Sequence, residues 1–133
     1  MFYVWSAGEY DAAAVSSKLA DLLAGDDIVV FSATYCPFSL AAKRALAAEG
    51  VAFKVYETNT MEDGGPIVAE LGKLTGRTSI PHIFIGGESV GGCNDGTPGI
   101  RPLIASGGLP VALAEAASRR NSAGLWSVLG YRV

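Results

Sequence analysis

The chain has 133 residues and a formal net charge of −3 at pH 7, and half of its residues are hydrophobic. This length predicts one domain that buries a core without disulfide staples. The slightly acidic balance gives no basic surface for phosphate groups, so nucleic acid is excluded as an expected partner. No apolar run approaches the roughly 18 residues that indicate a membrane span, so no membrane partner is expected.

Two features bear on the compartment. The N-terminal run Met1–Trp5 is apolar but has no basic residue before it, which does not fit a secretory signal. The two cysteines, Cys36 and Cys93, allow at most one bridge and fit a reducing compartment. We therefore expect a cytoplasmic protein, or an organellar one if a targeting peptide has been removed.

Hydrophobic spacing and turn residues predict alternating helices and strands. In the first helix, apolar residues recur at helical spacing from Val15 to Leu23, and Gly25 ends it. The predicted elements are helix 11–24, strand 28–31, helix 37–49, strand 52–57, helix 66–75, strand 82–85, strand 88–90, helix 98–105 and a further helical pattern over 109–119.

This order predicts an α/β fold with a mixed, four-stranded central sheet and helices on both faces. Parallel crossovers are followed by a hairpin at Gly86-Gly87. We expect a single domain over 1–133, with its core at about 12–109 and a C-terminal extension over 110–133. The large apolar residues near the end are expected to pack on the domain or on a neighbour: Leu125, Trp126, Val128, Leu129 and Tyr131.

The strongest functional signal is the segment Thr34-Tyr35-Cys36-Pro37-Phe38-Ser39, between a buried strand and a helix. Pro37 suits the first helical position, which puts Cys36 at the helix N-terminus. Unpaired N–H groups and the positive end of the helix dipole favour a thiolate there. Ser39 lies on the same side of the helix start, and its hydroxyl is expected to donate to the sulfur. The alternative is that Cys36 is a small buried residue.

A second signal is Thr78-Ser79-Ile80-Pro81, directly before a strand. If the Ile80–Pro81 bond is cis, the Ile80 backbone would face outward and pair with an extended peptide. The alternative is an ordinary trans proline that opens a strand.

The third signal is Gly91-Gly92-Cys93-Asn94-Asp95. Its glycines let the backbone approach a ligand closely, and the N–H groups of the helix that follows suit a carboxylate. Asp95 suits an ammonium group. The alternative is a glycine-rich turn with Asp95 as a helix cap.

Together the three segments resemble the glutaredoxin family. In that family a Cys-Pro-Tyr/Phe-Cys or Cys-x-x-Ser site, a Thr-Val-Pro turn and a Gly-Gly-x-x-Asp turn follow in this order on a thioredoxin fold. The resemblance covers about residues 12–109 and implies that Cys36 is the nucleophile and Pro81 the cis proline. The implied glutathione-binding residues are Tyr35, Pro37, Phe38, Ser39, Arg77, Ile80, Pro81, Gly92, Cys93, Asn94 and Asp95.

The resemblance also implies roles within that set. Ile80 would pair with the cysteinyl part of glutathione, Asn94 and Asp95 would hold its γ-glutamyl end, and Phe38 would flank the sulfur. The family's usual lysine before the site is Ala33 here, so Arg77 is the expected partner of the glycyl carboxylate. The alternative for Arg77 is a solvated surface residue.

Ser39 stands where the family usually has a second cysteine, either naturally or as an engineered replacement. The resemblance therefore implies a glutathione-dependent thiol–disulfide oxidoreductase with a monothiol mechanism, acting as a monomer on glutathionylated proteins. The alternative is a glutaredoxin that binds a [2Fe–2S] cluster, with Cys36 of two subunits and two glutathiones as ligands. The single histidine, His82, makes no metal site and is expected to be structural. Cys93 is expected to be a small residue in a tight turn unless it contacts glutathione.

Overall fold

A computed structural model describes residues 8–128 of the chain, with side chains described as far as residue 120. The N-terminal run Met1–Trp5 and the expected packing of the apolar residues in 121–133 lie outside these limits. Among the described residues, no helix is both long enough and apolar enough to cross a membrane.

Five helices and four strands follow one another in the described part of the chain. Their order is α1 (Ala12–Gly25), β1 (Ile28–Ser32), α2 (Pro37–Ala48), β2 (Lys54–Glu57), α3 (Gly64–Thr75), β3 (His82–Ile85), β4 (Glu88–Gly91), α4 (Ile100–Ala105) and α5 (Gly108–Val128).

Local capping explains several of these boundaries. The Asp11 carboxylate accepts from the Ala14 N–H at 3.1 Å and begins α1. Cys36 takes the same position before α2, with Pro37 in the first turn. Gly76 ends α3 in the left-handed conformation, with φ of 80°.

Two predicted helix starts are wrong. Helix α3 begins at Gly64, two residues before Pro66. Its first turn passes so close to the Thr58 carbonyl that a side chain at Gly64 would collide, so only glycine packs there. Helix α4 begins at Ile100 rather than Pro98. The residues before it are held beside β4, since the N–H groups of Thr97 and Gly99 both donate to the Val90 carbonyl.

The four strands form one sheet in the order β2-β1-β3-β4. Strand β1 pairs in parallel with β2, whereas β1 with β3 and β3 with β4 are antiparallel. The predicted mixed, four-stranded sheet is confirmed. The prediction of parallel crossovers holds for the first crossover only, because β3 runs against β1.

Two clusters of buried residues lie on opposite faces of this sheet, and β1 contributes to both by alternation. Val29 and Phe31 face the helices α1 and α3, while Ile28 and Val30 face α2, α4 and α5. Cys36 belongs to the first cluster and Cys93 to the second. The two cysteine side chains therefore lie on opposite faces of the sheet. The sheet also fixes the end of β1, where the turn that leads to Cys36 begins.

Candidate active site

Cys36 lies one turn beyond β1, at the N-terminus of α2. Its N–H donates to the Ala33 carbonyl at 3.0 Å, which closes the turn. Its sulfur accepts from the Ser39 N–H at 3.4 Å, and only 3% of the residue is exposed. An N–H of the first helical turn thus points at the sulfur, the arrangement expected from the Cys-Pro sequence.

Ser39 contacts this sulfur differently from the prediction. Its hydroxyl was expected to donate to Sγ of Cys36, but it accepts from the Ala33 N–H at 3.3 Å instead. Ser39 is fully buried, and its hydroxyl satisfies the backbone of the turn that precedes Cys36. The backbone N–H of Ser39 makes the contact with the sulfur. Any residue other than proline at this position carries that N–H group, so the contact does not depend on serine.

Asn59 holds the active-site turn from the side, and sequence reasoning missed it. Its side-chain oxygen accepts from the Thr34 N–H at 3.0 Å, and its amide donates to the Thr34 hydroxyl at 2.7 Å. Asn59 follows β2, which is parallel to β1, so both strands end at the same edge of the sheet. This parallel pairing was the signal that could have identified Asn59.

The Ile80–Pro81 bond is cis, as predicted. The Ile80 carbonyl lies 3.8 Å from Sγ of Cys36, which brings the second predicted segment directly beside the sulfur. Both Ile80 and Pro81 are buried. A second cis bond, Thr97–Pro98, was not predicted.

The Gly91–Asp95 segment forms a closed turn, in which the Gly92 N–H donates to the Asp95 carbonyl at 2.7 Å. Cys93 points into the core and is 1% exposed, and burial raises the pKa of its thiol above the usual value. Asn94 and the side chain of Asp95 are exposed. This turn therefore offers Asn94 and Asp95 to solvent and withdraws the Cys93 sulfur.

Arg77 is not the solvated surface residue that the alternative describes. Its side chain is 18% exposed, and its guanidinium pairs with the Asp95 carboxylate at 3.0 Å. It also donates to the Pro81 carbonyl at 3.2 Å. Hydrogen bonding by Arg77 holds the pKa of Asp95 below its usual range. Two residues that were expected to hold opposite ends of one ligand thus hold each other.

The three predicted segments are therefore joined at one site, by Cys36 with Ile80 and by Arg77 with both Pro81 and Asp95. Tyr35 and Phe38 flank the cysteine in sequence and are about half exposed, at 57% and 44%. Pro37 is exposed as well. The site thus combines exposed apolar residues next to Cys36 in sequence with a charged pair that contacts Pro81.

His82 is buried in β3, where its Nε2 lies 2.7 Å from the Ser89 hydroxyl. Its Nδ1 is buried without a hydrogen-bond partner in the described part of the chain. Burial, with a smaller effect of the Arg77 charge, lowers the pKa of His82 to about 4. These contacts fit the structural role that the sequence suggested.

Comparison with known proteins identifies the family. The glutaredoxin family model matches residues 28–90. A glutaredoxin of Ricinus communis is 40% identical over 81 residues, which are 61% of this chain and 79% of that protein. A glutaredoxin of Solanum lycopersicum is 38% identical over 78 residues, covering 59% of this chain and 72% of the relative.

Solved structures agree with this assignment. The crystal structure of a buckwheat glutaredoxin–glutathione complex superposes with a TM-score of 0.72 at 29% identity, over 80% of this chain and 93% of that chain. Wheat glutaredoxin gives a TM-score of 0.71 at 35% identity, over 80% and 98%. The chain has the thioredoxin fold and belongs to the glutaredoxin family of thiol–disulfide oxidoreductases.

Proposed function

We propose that this glutaredoxin reduces mixed disulfides between proteins and glutathione by a monothiol mechanism, with Cys36 as the nucleophile. The observation that carries the proposal is the Cys36 sulfur at a helix N-terminus, with an N–H of the first turn on it and serine at the position of a second thiol. Ser39 forms no disulfide, so glutathione must supply the resolving thiol.

The reaction balances in two exchanges. The Cys36 thiolate attacks the glutathione sulfur of the mixed disulfide, the old S–S bond breaks, and the protein thiolate leaves and takes a proton. A second glutathione thiolate then attacks the glutathione sulfur on Cys36. This step releases oxidised glutathione and returns the Cys36 thiolate.

The residues around the sulfur suit a bound glutathionyl group. We propose that the Ile80 backbone pairs with its cysteinyl part, that Arg77 meets the glycyl carboxylate and that Asn94 and Asp95 meet the γ-glutamyl end. Close approach of the Ile80 carbonyl to Sγ supports the first contact. The remaining lining would come from Tyr35, Pro37, Phe38, Ser39, Pro81 and Gly92, and from the backbone of Cys93, whose side chain points into the core.

Cys93 takes no part in the proposed cycle. Its sulfur is buried, and burial keeps the thiol protonated by raising its pKa, so it is a poor nucleophile at neutral pH. Cys36, in contrast, lies at the N-terminus of α2 and accepts the Ser39 N–H.

The test is reduction of a glutathionylated peptide, coupled to glutathione and glutathione reductase. Cys36→Ser is expected to abolish turnover, and Cys93→Ser is the matched control that keeps most of it. Loss of turnover in Cys93→Ser, with the fold intact by circular dichroism, would show that the cycle uses both thiols and would refute the monothiol mechanism.

The alternative is a [2Fe–2S] cluster shared by two subunits, with Cys36 of each subunit and two glutathione thiols as ligands. Cys36 is the residue of this chain that would hold it. Anaerobic purification with glutathione, followed by iron analysis and gel filtration, separates the two functions. The proposed reductase is a monomer without iron, whereas the alternative predicts a coloured dimer.

We further propose that the chain is one domain with a core at about 12–109 and an extension over 110–133. Leu109 and Ala116 of α5 support the single domain, because both pack in the second buried cluster with residues of α2 and α4. The first part of the extension thus belongs to the packed domain. Two free cysteines fit a reducing compartment, and the cytoplasm is the one we propose.

A further inference from the structure

We propose that the Asp95 carboxylate acts as an internal substitute for a substrate carboxylate, so that Asp95 and Arg77 together select ligands that carry both a carboxylate and an ammonium group. The inference rests on the glutathione-dependent function proposed above. It adds a competition within the free protein: a ligand carboxylate reaches Arg77 only by displacing Asp95.

The contacts of Arg77 leave one side of its guanidinium group that a carboxylate can approach. Nη1 and Nη2 of the guanidinium donate to the Asp95 carboxylate, at 3.0 and 3.5 Å. Nη2 also donates to the Pro81 carbonyl, and Nε is buried without a partner among the described residues. A carboxylate in front of Nη1 and Nη2 has the two-pronged geometry that suits a guanidinium. Asp95 therefore fills the position where a ligand carboxylate would bind best.

The two partners differ in their freedom to move. The Arg77 side chain is 18% exposed, whereas that of Asp95 is 73% exposed. Arg77 is packed against Gly92, where a Cβ atom would collide with Nη2 of Arg77 and lie 2.7 Å from the Asp95 carboxylate. Asp95 is the partner that can turn away into solvent, so displacement leaves the guanidinium in place.

Displacement has a cost that depends on the ligand. The carboxyl of Asp95 is ionised at neutral pH, as an ordinary aspartate is, and hydrogen bonding by Arg77 lowers its pKa further, so the competitor is fully charged. A ligand ammonium group compensates the displaced Asp95, but a ligand without one leaves this carboxylate without its partner. The pair therefore discriminates against thiols that carry carboxylates but no free amine.

The experiment compares two mixed disulfides of one peptide, made with glutathione and with N-acetylglutathione, in which the amine is blocked and both carboxylates remain. For the acetylated substrate, Asp95→Asn is expected to raise kcat/KM about two- to fivefold, as for release of an exposed ion pair. If Asp95 only bound the ligand ammonium group, the acetylated substrate would react equally fast with the wild-type protein and with Asp95→Asn. An unchanged or lower kcat/KM overturns the inference.

Two controls separate competition from a general change in charge. Glu88→Gln removes another exposed carboxylate, the partner of Arg119, and is expected to leave the rate with the acetylated substrate unchanged. In an Arg77→Gln background, Asp95→Asn is expected to give no gain. A gain that persists without Arg77 is a long-range charge effect and contradicts the inference. Failure of the wild-type protein to act on the glutathione disulfide refutes the proposed function itself.

Discussion

Replacement of His82 by asparagine should make folding stability less sensitive to acid. The neutral ring of His82, on β3, is buried and lies 2.7 Å from the hydroxyl of Ser89, on β4. Its pKa falls from 6.5 to about 4 in the folded chain, mainly because the charged ring would be buried. Since the unfolded chain binds the proton first, stability decreases as pH falls through this window and is retained above about 6.5.

The magnitude follows from the two pKa values. A tenfold change in an equilibrium is about 1.4 kcal/mol, so a pKa lowered from 6.5 to about 4 limits the effect to roughly 3 kcal/mol. Between pH 7 and pH 5, titration of His82 should lower the free energy of unfolding of the wild-type protein by about 2 kcal/mol. Glu70 and Asp95 have pKa values below their usual range, so their carboxyls protonate mostly below this window.

Denaturant unfolding at pH 7, 6 and 5 measures this slope directly. His82→Asn should unfold with a free energy that changes less between pH 7 and pH 5. Ser89→Ala is the matched control, because it removes the neighbouring hydroxyl but keeps the titrating ring and hence the slope. Parallel curves for wild type and His82→Asn would refute the reasoning that burial of a neutral His82 limits acid stability.

Three further changes test the site. Asn59→Ala should lower kcat/KM severalfold, because the Thr34 N–H loses its acceptor and the turn becomes free to move. Asn59→Asp keeps that acceptor and should retain most of the kcat/KM. Equal losses for the two variants in steady-state assays would contradict a positioning role. Gly92→Ala should raise KM for the glutathionylated peptide, because the added methyl group displaces the Arg77 guanidinium. The melting temperature of the variant shows whether the whole fold is destabilised, and an unchanged KM would contradict the prediction. Arg77→Ala should weaken glutathione binding about tenfold at low salt in calorimetry and less at high salt, and wild-type affinity would remove Arg77 from the site.

Features that depend on a few neighbouring residues were predictable from the sequence. The Gly86-Gly87 hairpin, the helix after Cys36-Pro37 and the end of α3 at Gly76 follow from turn and capping chemistry that acts over four or five residues. The site segments were recognised for the same reason, because each is a short run at the end of an element.

Features that depend on residues distant in sequence were not predictable. The first turn of α3 passes close to Thr58 at Gly64, and this approach is known only once β2 and α3 are packed. The pairing of Arg77 with Asp95 joins residues 18 positions apart across the site. The Ser39 hydroxyl bonds Ala33 because the turn folds back on the helix start, and spacing along a helix does not describe that turn.

Intact-protein mass spectrometry of the Cys93→Ser variant, mixed with a glutathionylated peptide and no free glutathione, tests the central claim most directly. A monothiol mechanism predicts that the protein gains the mass of one glutathione, mapped to Cys36, while the peptide is released as a free thiol. Peptide bound to Cys36 with release of glutathione, or no adduct on Cys36, would contradict the account.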